Sequence, residues 1–191
     1  MNHMPPRLYA YVPSPIGRLL LCGDEERLSG LRTLPAAEDS DLVRGRRRSD
    51  AAFAPVREQL EQYFAGERVE FDVHLDLDGA TPFRRSVWSA LLEIPYAATV
   101  SYGDLARRLG VPTSARAVGA ANGSNPISII VPCHRVIGAA GRLTGYAGGL
   151  ERKRYLLCLE AEVAGRADSP HQARPPSENV IQGAAQGHDR K

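Results

Sequence analysis

SYGDLARRLGVPTSARAVGAAN, residues 101–122, decides the fold of the region around it. Ser101 can cap a helix that runs from Tyr102 to Leu109, and Gly110 stops it. After a short turn, Thr113 or Ser114 starts a second helix that reaches about Asn122. Two short helices joined by about four residues read as a helix-turn-helix. The second helix is made of small side chains, Ala115, Ala117, Gly119, Ala120 and Ala121, with Arg116 as its one long side chain. Small residues let a backbone approach another surface closely. On a DNA-facing helix Arg116 can enter the duplex or fill the space of an extruded base. A tightly packed interior helix with Arg116 at its rim is the plainer alternative.

Upstream, Thr81 can cap and Pro82 can open a helix whose apolar face is Phe83, Val87, Trp88, Leu91, Leu92 and Ile94, ended by Pro95. Downstream, Asn125-Pro126 breaks the helical run. Ile127 to Val131 is a short apolar segment ending at Pro132-Cys133-His134-Arg135-Val136. Gly138, Gly141, Gly145, Gly148 and Gly149 space a loop, and Leu150 to about Val163 is a final helix with Tyr155, Leu156, Leu159 and Val163 inward.

The leading part reads differently. Leu8–Val12 and Leu19–Cys22 flank a Pro13–Gly17 turn and form a hairpin, with Leu28–Leu34 as a third strand. Ala36–Asp50 reads as an exposed loop containing Arg44–Arg48. Phe53, Val56, Leu60, Tyr63 and Phe64 fall at helical spacing before Gly66. Val69, Phe71, Val73, Leu75 and Leu77 alternate and give the clearest strand of the sequence. A boundary falls near Asp78–Pro82. The expected fold class is therefore α/β: a small N-terminal antiparallel sheet plus helix over 1–82, and a mainly helical, winged-helix-like part over 83–165 that carries the helix-turn-helix. Residues 166–191 lack aromatics and periodicity and read as a disordered tail.

Composition narrows the classes of function. The 191 residues are 43% hydrophobic and 24% charged, which suits a folded globular chain. No run approaches the roughly 18 apolar residues of a membrane span, and the start lacks a signal peptide's pattern. The three cysteines, Cys22, Cys133 and Cys158, are too few and scattered for a disulfide framework, so reduced thiols in the cytoplasm are expected. No metal site is expected: Cys22, His3 and His74 have no paired-ligand spacing. The net charge of +2 hides a split. Residues 1–82 carry 10 Arg and Lys against 14 acids, whereas 83–165 carry 10 against 5. A basic half suits an anionic partner, although a solvated basic surface reads the same way.

Cys133 carries the chemistry. It follows Pro132 at the end of an apolar segment, with His134 and Arg135 behind it, and cationic neighbours lower a thiol's pKa. For an arbitrary Cys-His pair, a buried inert cysteine is the commoner outcome. A dyad also needs a third, orienting group. Glu160 lies in the apolar stretch Tyr155–Glu160 and is one candidate, with a solvated helix-end charge as the alternative.

Taken together, Ile94-Pro95-Tyr96, Val100-Ser101-Tyr102-Gly103, Ala115-Arg116-Ala117-Val118-Gly119, Asn125 to Val136 and Gly145-Tyr146-Ala147-Gly148-Gly149-Leu150 stand in an order and spacing that resemble the O6-alkylguanine-DNA alkyltransferases. The resemblance covers 83–165 strongly. It implies a repair protein that flips an O6-alkylated guanine out of duplex DNA and moves the alkyl group irreversibly onto Cys133, with no cofactor. It further implies that His134 deprotonates Cys133 through a water, Glu160 orients His134, and Tyr102 protonates the departing guanine. Arg116 matches the finger that takes the base's place, and Asn125 the hinge before the active-site segment. Ser101, Thr113, Ser114, Ala117 and Ala121 fall to the DNA-binding surface. Tyr146, Ala147 and Gly148 fall to the loop over the base, with the Ala147 N–H near O6 and the Cys133 and Val136 carbonyls accepting from the exocyclic amine. The implied partner is duplex DNA bearing O6-alkylguanine, bound by a monomer and without a membrane. O4-alkylthymine as a substrate and cooperative binding along DNA are left open. Two rival functions remain at this stage, a non-catalytic DNA-binding module and a cysteine hydrolase built on Cys133, His134 and Glu160.

Overall fold

The computed structural model describes residues 7–34, 41–112 and 114–165. β1 (Leu8–Val12) and β2 (Leu19–Gly23) pair antiparallel across a turn in which the Gly17 N–H donates to the Ser14 carbonyl at 3.0 Å. β3 (Leu28–Thr33) pairs antiparallel with β2. A fourth strand differs from expectation. β4 (Arg47–Arg48) runs parallel to β1, matching Leu8 to Arg47 and Tyr9 to Arg48. The sheet, in the order β3-β2-β1-β4, is therefore mixed rather than antiparallel, and part of the Arg44–Arg48 stretch is its edge. An edge strand needs only backbone pairing, and charged side chains there keep it from pairing further.

α1 (Ala54–Phe64) has Pro55 in its first turn and buries Leu60 and Tyr63, and Gly66 follows it at φ 78°. The expected strand at 69–77 does not form. Its only ladder contact among the described residues is a bridge between Leu75 and Leu28, made by Leu28 N–H to His74 O and Asp76 N–H to Leu28 O, each 2.8 Å. The alternation has another cause. Phe71, Val73, Leu75 and Leu77 lay one half-buried face on the core, and the Gln59 side chain stands in for a neighbouring strand. Its amide donates to Asp72 O at 2.9 Å and accepts from Asp72 N–H at 2.8 Å.

α2 (Pro82–Leu92) is capped by Thr81, whose hydroxyl accepts from Arg84 N–H, and buries Val87, Trp88, Ala90 and Leu91. β5 (Val100–Ser101) leads into α3 (Tyr102–Arg108), where Ser101 and Asp104 form a capping box. α4 (Ala115–Gly123) follows the turn. β6 (Val136–Ile137) pairs parallel with β5, and α5 (Leu150–Val163) closes the described chain. One apolar cluster runs from Leu8 through Val87, Val118 and Cys133 to Leu156. The Trp88 indole N–H donates to the Ala121 carbonyl at 2.9 Å and fastens α2 to α4. No described helix is long and apolar enough to cross a membrane.

Candidate active site

The segment that delivers Cys133 is a chain of tight turns rather than a strand. Leu31 of β3 anchors it, donating to Pro126 O and accepting from Ser128 N–H, both at 2.9 Å. Ile129 then takes φ 73°, a left-handed conformation that is strained for a β-branched residue. The Ile130 N–H donates to Ser128 O at 2.9 Å, and the Cys133 N–H to Val131 O at 2.8 Å. Each bond closes a three-residue turn. Asn125 supplies what the missing ladder would have given. Its amide donates to Val131 O at 2.8 Å and accepts from Ile127 N–H at 3.0 Å. The chain thus enters a single 3-10 turn, Cys133–Arg135, with all three side chains buried.

Glu160 meets that turn from α5 with no accessible surface. Oε1 accepts from His134 Nε2, Tyr63 Oη and Arg135 Nη2, each at 2.9 Å. Oε2 accepts from Arg135 Nε at 2.9 Å and Ala97 N–H at 3.1 Å. Burial alone would raise this carboxyl, but His134 and then Arg135 override it and hold it at about 2. An ionised acceptor fixes the His134 tautomer, placing the proton on Nε2. Burial, opposed by Glu160, pushes the imidazole below its ordinary value, so His134 is neutral at physiological pH. Its Nδ1 is buried and has no hydrogen-bond partner among the described residues. The pair therefore leaves Nδ1 with an unprotonated lone pair, one residue along the chain from Cys133.

Cys133 is 4% exposed, and burial raises its pKa, opposed by the Asn125 side chain and then Lys153. At rest it is a thiol. The cation that acts on it is not the adjacent arginine. Arg135 is spent on Glu160 and on the Ile94 carbonyl at 2.7 Å. Lys153, fully buried on α5, donates to Val136 O and Thr144 O at 2.6 Å, and burial pulls its pKa down to about 8 while Cys133 opposes the shift. Sequence reasoning missed Lys153, although it sits three residues before Leu156 and seven before Glu160, on one helical stripe. It also missed Asn122, 2% exposed, whose amide donates to Cys133 O at 3.3 Å. Tyr63 was read only as a core residue.

Tyr102 opens α3 half-buried, with its hydroxyl 3.4 Å from the carbonyls of Thr144 and Gly145. Burial raises its pKa, and Cys133 adds to the shift, so it stays a proton donor. Tyr146 carries a buried hydroxyl on the glycine-rich loop, near the Ser128 side chain. A Cβ on Gly148 would stand 2.8 Å from the Tyr146 ring, so only glycine fits there without a shift. Ala147 is exposed. The two carbonyls expected to receive an exocyclic amine already have donors. Cys133 O takes Asn122 and the Val136 N–H, and Val136 O takes Lys153, which leaves Val136 a lone pair.

On the helix-turn-helix, Arg116 and Ala117 are exposed and Ser114 is half-buried. The Ser101 hydroxyl is committed to Asp104, accepting from its N–H at 3.0 Å and donating to its carboxylate at 2.5 Å. Ala121 differs from expectation: it is 3% exposed and packs α4 onto the core, with its carbonyl taken by Trp88. Thr113, His3 and the 166–191 tail lie outside the described residues. No group of three or more His, Cys, Asp or Glu able to hold a metal occurs among the described residues.

Two family models match this chain. The 6-O-methylguanine DNA methyltransferase DNA binding domain matches residues 82–162, and the ribonuclease-like domain of the same family matches 8–77. A methylated-DNA–protein-cysteine methyltransferase of Mycolicibacterium paratuberculosis is 54% identical over 152 residues, covering 80% of this chain and 91% of the relative. One from Methanosarcina acetivorans is 51% identical over 152 residues, covering 80% and 97%. Among solved structures, Mycobacterium tuberculosis O6-methylguanine methyltransferase superposes with TM-score 0.76 at 51% identity, covering 85% of this chain and 96% of that one. The Mycobacterium tuberculosis OGT structure in complex with DNA gives TM-score 0.76 at 47% identity, covering 92% and 99%.

Proposed function

Because this chain belongs to the 6-O-methylguanine DNA methyltransferase family, we propose that Cys133 is the residue on which its reaction ends. The protein repairs DNA by direct, stoichiometric transfer of an alkyl group from O6-alkylguanine to one of its own cysteines. The observation that carries the assignment of Cys133 is the His134–Glu160 pair. With Nε2–H tied to Glu160, the unpartnered Nδ1 is free to take the thiol proton through a water.

The step balances. The Cys133 Sγ–carbon bond forms as the carbon–O6 bond breaks, the thiol proton passes to His134 Nδ1, and Tyr102 gives its proton to the departing guanine. Return of the proton from His134 restores Tyr102, leaving guanine and an S-alkylated cysteine. A thioether has no low-energy route back to a thiol, so each chain reacts once.

Delivery of the lesion belongs to the same reading. Arg116, the exposed long side chain on a helix of alanines and glycine, enters the stack as the base flips out, and the narrow minor groove suits so slim a helix. Ser101, Ser114 and Ala117 fall to the DNA-facing side in this reading, where contacts to phosphate and sugar hold the duplex without reading sequence. Asn125 is the hinge that carries the acceptor segment, and Tyr146, Ala147, Gly148 and Val136 enclose the base. We assign residues 1–82 and 83–165 as the two domains. The working unit in this reading is a monomer. A set of only three scattered cysteines supports the reducing cytoplasm as its compartment.

The test is intact-protein mass after mixing with excess duplex bearing one O6-methylguanine, followed by peptide mapping. One methyl per chain on Cys133 is expected. Methyl on another cysteine overturns the acceptor assignment. Repeated turnover points to a hydrolase, and tight binding without mass change points to a lesion sensor. Cys133→Ala is expected to bind the duplex and transfer nothing.

A further inference from the structure

Glu160 Oε1, the oxygen that holds His134, also takes a hydrogen bond from the other half of the chain. Tyr63 is the penultimate residue of α1, has no accessible surface, and donates from Oη at 2.9 Å across 97 positions of sequence. Every other donor to Glu160 among the described residues, Ala97, His134 and Arg135, lies within 83–165. We propose that Tyr63 is a positioning residue for alkyl transfer, fixing the Glu160 carboxylate so that it keeps His134 in its Nε2–H form. This rests on the reading of His134 as the base for Cys133.

The geometry gives Tyr63 that capacity. Its ring is wedged against Phe64, Phe71 and Tyr96 with centroids 5.4, 5.4 and 6.3 Å away, so the hydroxyl is delivered from a rigid mount. Arg135 lies along the carboxylate and the Ala97 N–H holds Oε2, while Oε1 faces the proton shared with His134. Tyr63 adds to Oε1 a donor from the other half of the chain, fixed in direction by its packed ring. Burial and Glu160 keep the phenol protonated, so it donates without adding charge. Arg135 already neutralises Glu160, and a further cation there would weaken the pull on His134. The charged or titratable groups facing His134 are Glu160 and Lys153 from α5 and Arg135 from its own turn, and those facing Tyr63 are Glu160, Arg135 and Tyr96.

Tyr63→Phe keeps the ring and removes only the donor. Oε1 then holds its charge less diffusely and binds the His134 proton harder, so imidazolium persists to higher pH. The experiment follows single-turnover methyl transfer from saturating O6-methylguanine duplex between pH 4.5 and 8.5, on wild type, Tyr63→Phe and Tyr96→Phe. Tyr96 packs on the same ring, but its own hydroxyl has no partner among the described residues. Because each chain reacts once, the amplitude counts folded protein and the rate constant reports chemistry alone. For Tyr63→Phe the expected result is an amplitude near one, a rate constant roughly tenfold lower at neutral pH, and an acid midpoint shifted up by about half a unit or more, with DNA affinity unchanged. Tyr96→Phe is expected to keep the wild-type midpoint. A Tyr63→Phe profile that superimposes on wild type overturns the proposal, as does a loss confined to amplitude, or a slower rate with an unmoved midpoint. A wild-type rate with no acid limb overturns instead the assignment of His134 as base.

Discussion

Glu160 accepts from Tyr63, Ala97, His134 and Arg135 in a place water does not reach, so its charge is the residue on which the local structure turns. Glu160→Gln leaves the Arg135 guanidinium buried without its counter-charge. Breaking a buried pair from one side costs about 3–5 kcal/mol, so urea midpoints should fall by that equivalent. The same groups set the acid limit of the fold. His134 has its folded pKa below the ordinary 6.5, and Glu160 has its own at about 2 against an ordinary 4.5. In both cases the unfolded chain binds protons more readily, so their contribution is fully present above the unfolded value and lost on acidification. The melting temperature should start to fall below about pH 6.5 as His134 contributes, and fall further from about 4.5 toward 2 with Glu160. A melting temperature that is flat from pH 7 to 5 would falsify the neutral, buried His134. At this scale the sequence was legible where residues sit together. Cys133 and His134 stand in one motif, and Glu160 stood out as a carboxylate in an apolar run. Lys153, Asn122 and Tyr63 were hidden because each acts through a contact made only by folding, and nothing in the local pattern separates a core tyrosine from one whose hydroxyl reaches a carboxylate 97 residues on.

Among the elements, helices and the hairpin were readable from caps and spacing: Thr81, Ser101 and Ser114 do precede α2, α3 and α4. The 69–77 segment misled because alternation reports one buried face, not a hydrogen-bonded neighbour, and the Gln59 side chain supplies the neighbour's bonds. The short β4 was hidden for the opposite reason, since two exposed arginines carry no apolar pattern at all. In the proposed function α4 is the element that delivers the lesion, and two substitutions separate its position from its contact. Trp88→Phe removes the donor from the buried Ala121 carbonyl and should cost about 1–3 kcal/mol in thermal or urea unfolding. Arg116→Ala touches an exposed side chain and should leave stability within about 0.5 kcal/mol. It should slow transfer from duplex DNA by roughly tenfold or more, because the vacated stack is no longer filled and flipping costs a few kcal/mol. Transfer from the free O6-alkylguanine base needs no flipping, so Arg116→Ala should react with it at the wild-type rate. A loss equal for duplex and free base would place Arg116 in the pocket instead.

Across the whole molecule, charge and packing divide the chain differently. Charge splits it near Pro82, acidic before and basic after, so electrostatic attraction to DNA should reside in 83–165 and weaken as salt rises. Packing does not respect that split. The apolar cluster is continuous from β1 to α5, and hydrogen bonds among the described residues span it: Leu31 to Pro126 and Ser128, Tyr63 to Glu160, and Arg152 to the Ile16 carbonyl at 2.7 Å. The first of these anchors the strained turn at Ile129, and the second reaches the His134–Glu160 pair. Unfolding the sheet alone would leave Glu160 with a lost donor and the 126–133 segment with no anchor, so a half-folded state has little to stabilise it. The chain should therefore unfold in one transition. Trp88 is its one tryptophan and lies 4% exposed in the 83–165 half, while far-UV circular dichroism reports on both halves. In urea the two signals should share one midpoint and one slope, and methyl-transfer amplitude should vanish with them. An earlier loss of circular dichroism, with Trp88 fluorescence and transfer retained, would instead make 83–165 a self-sufficient domain and reduce the sheet to an attachment.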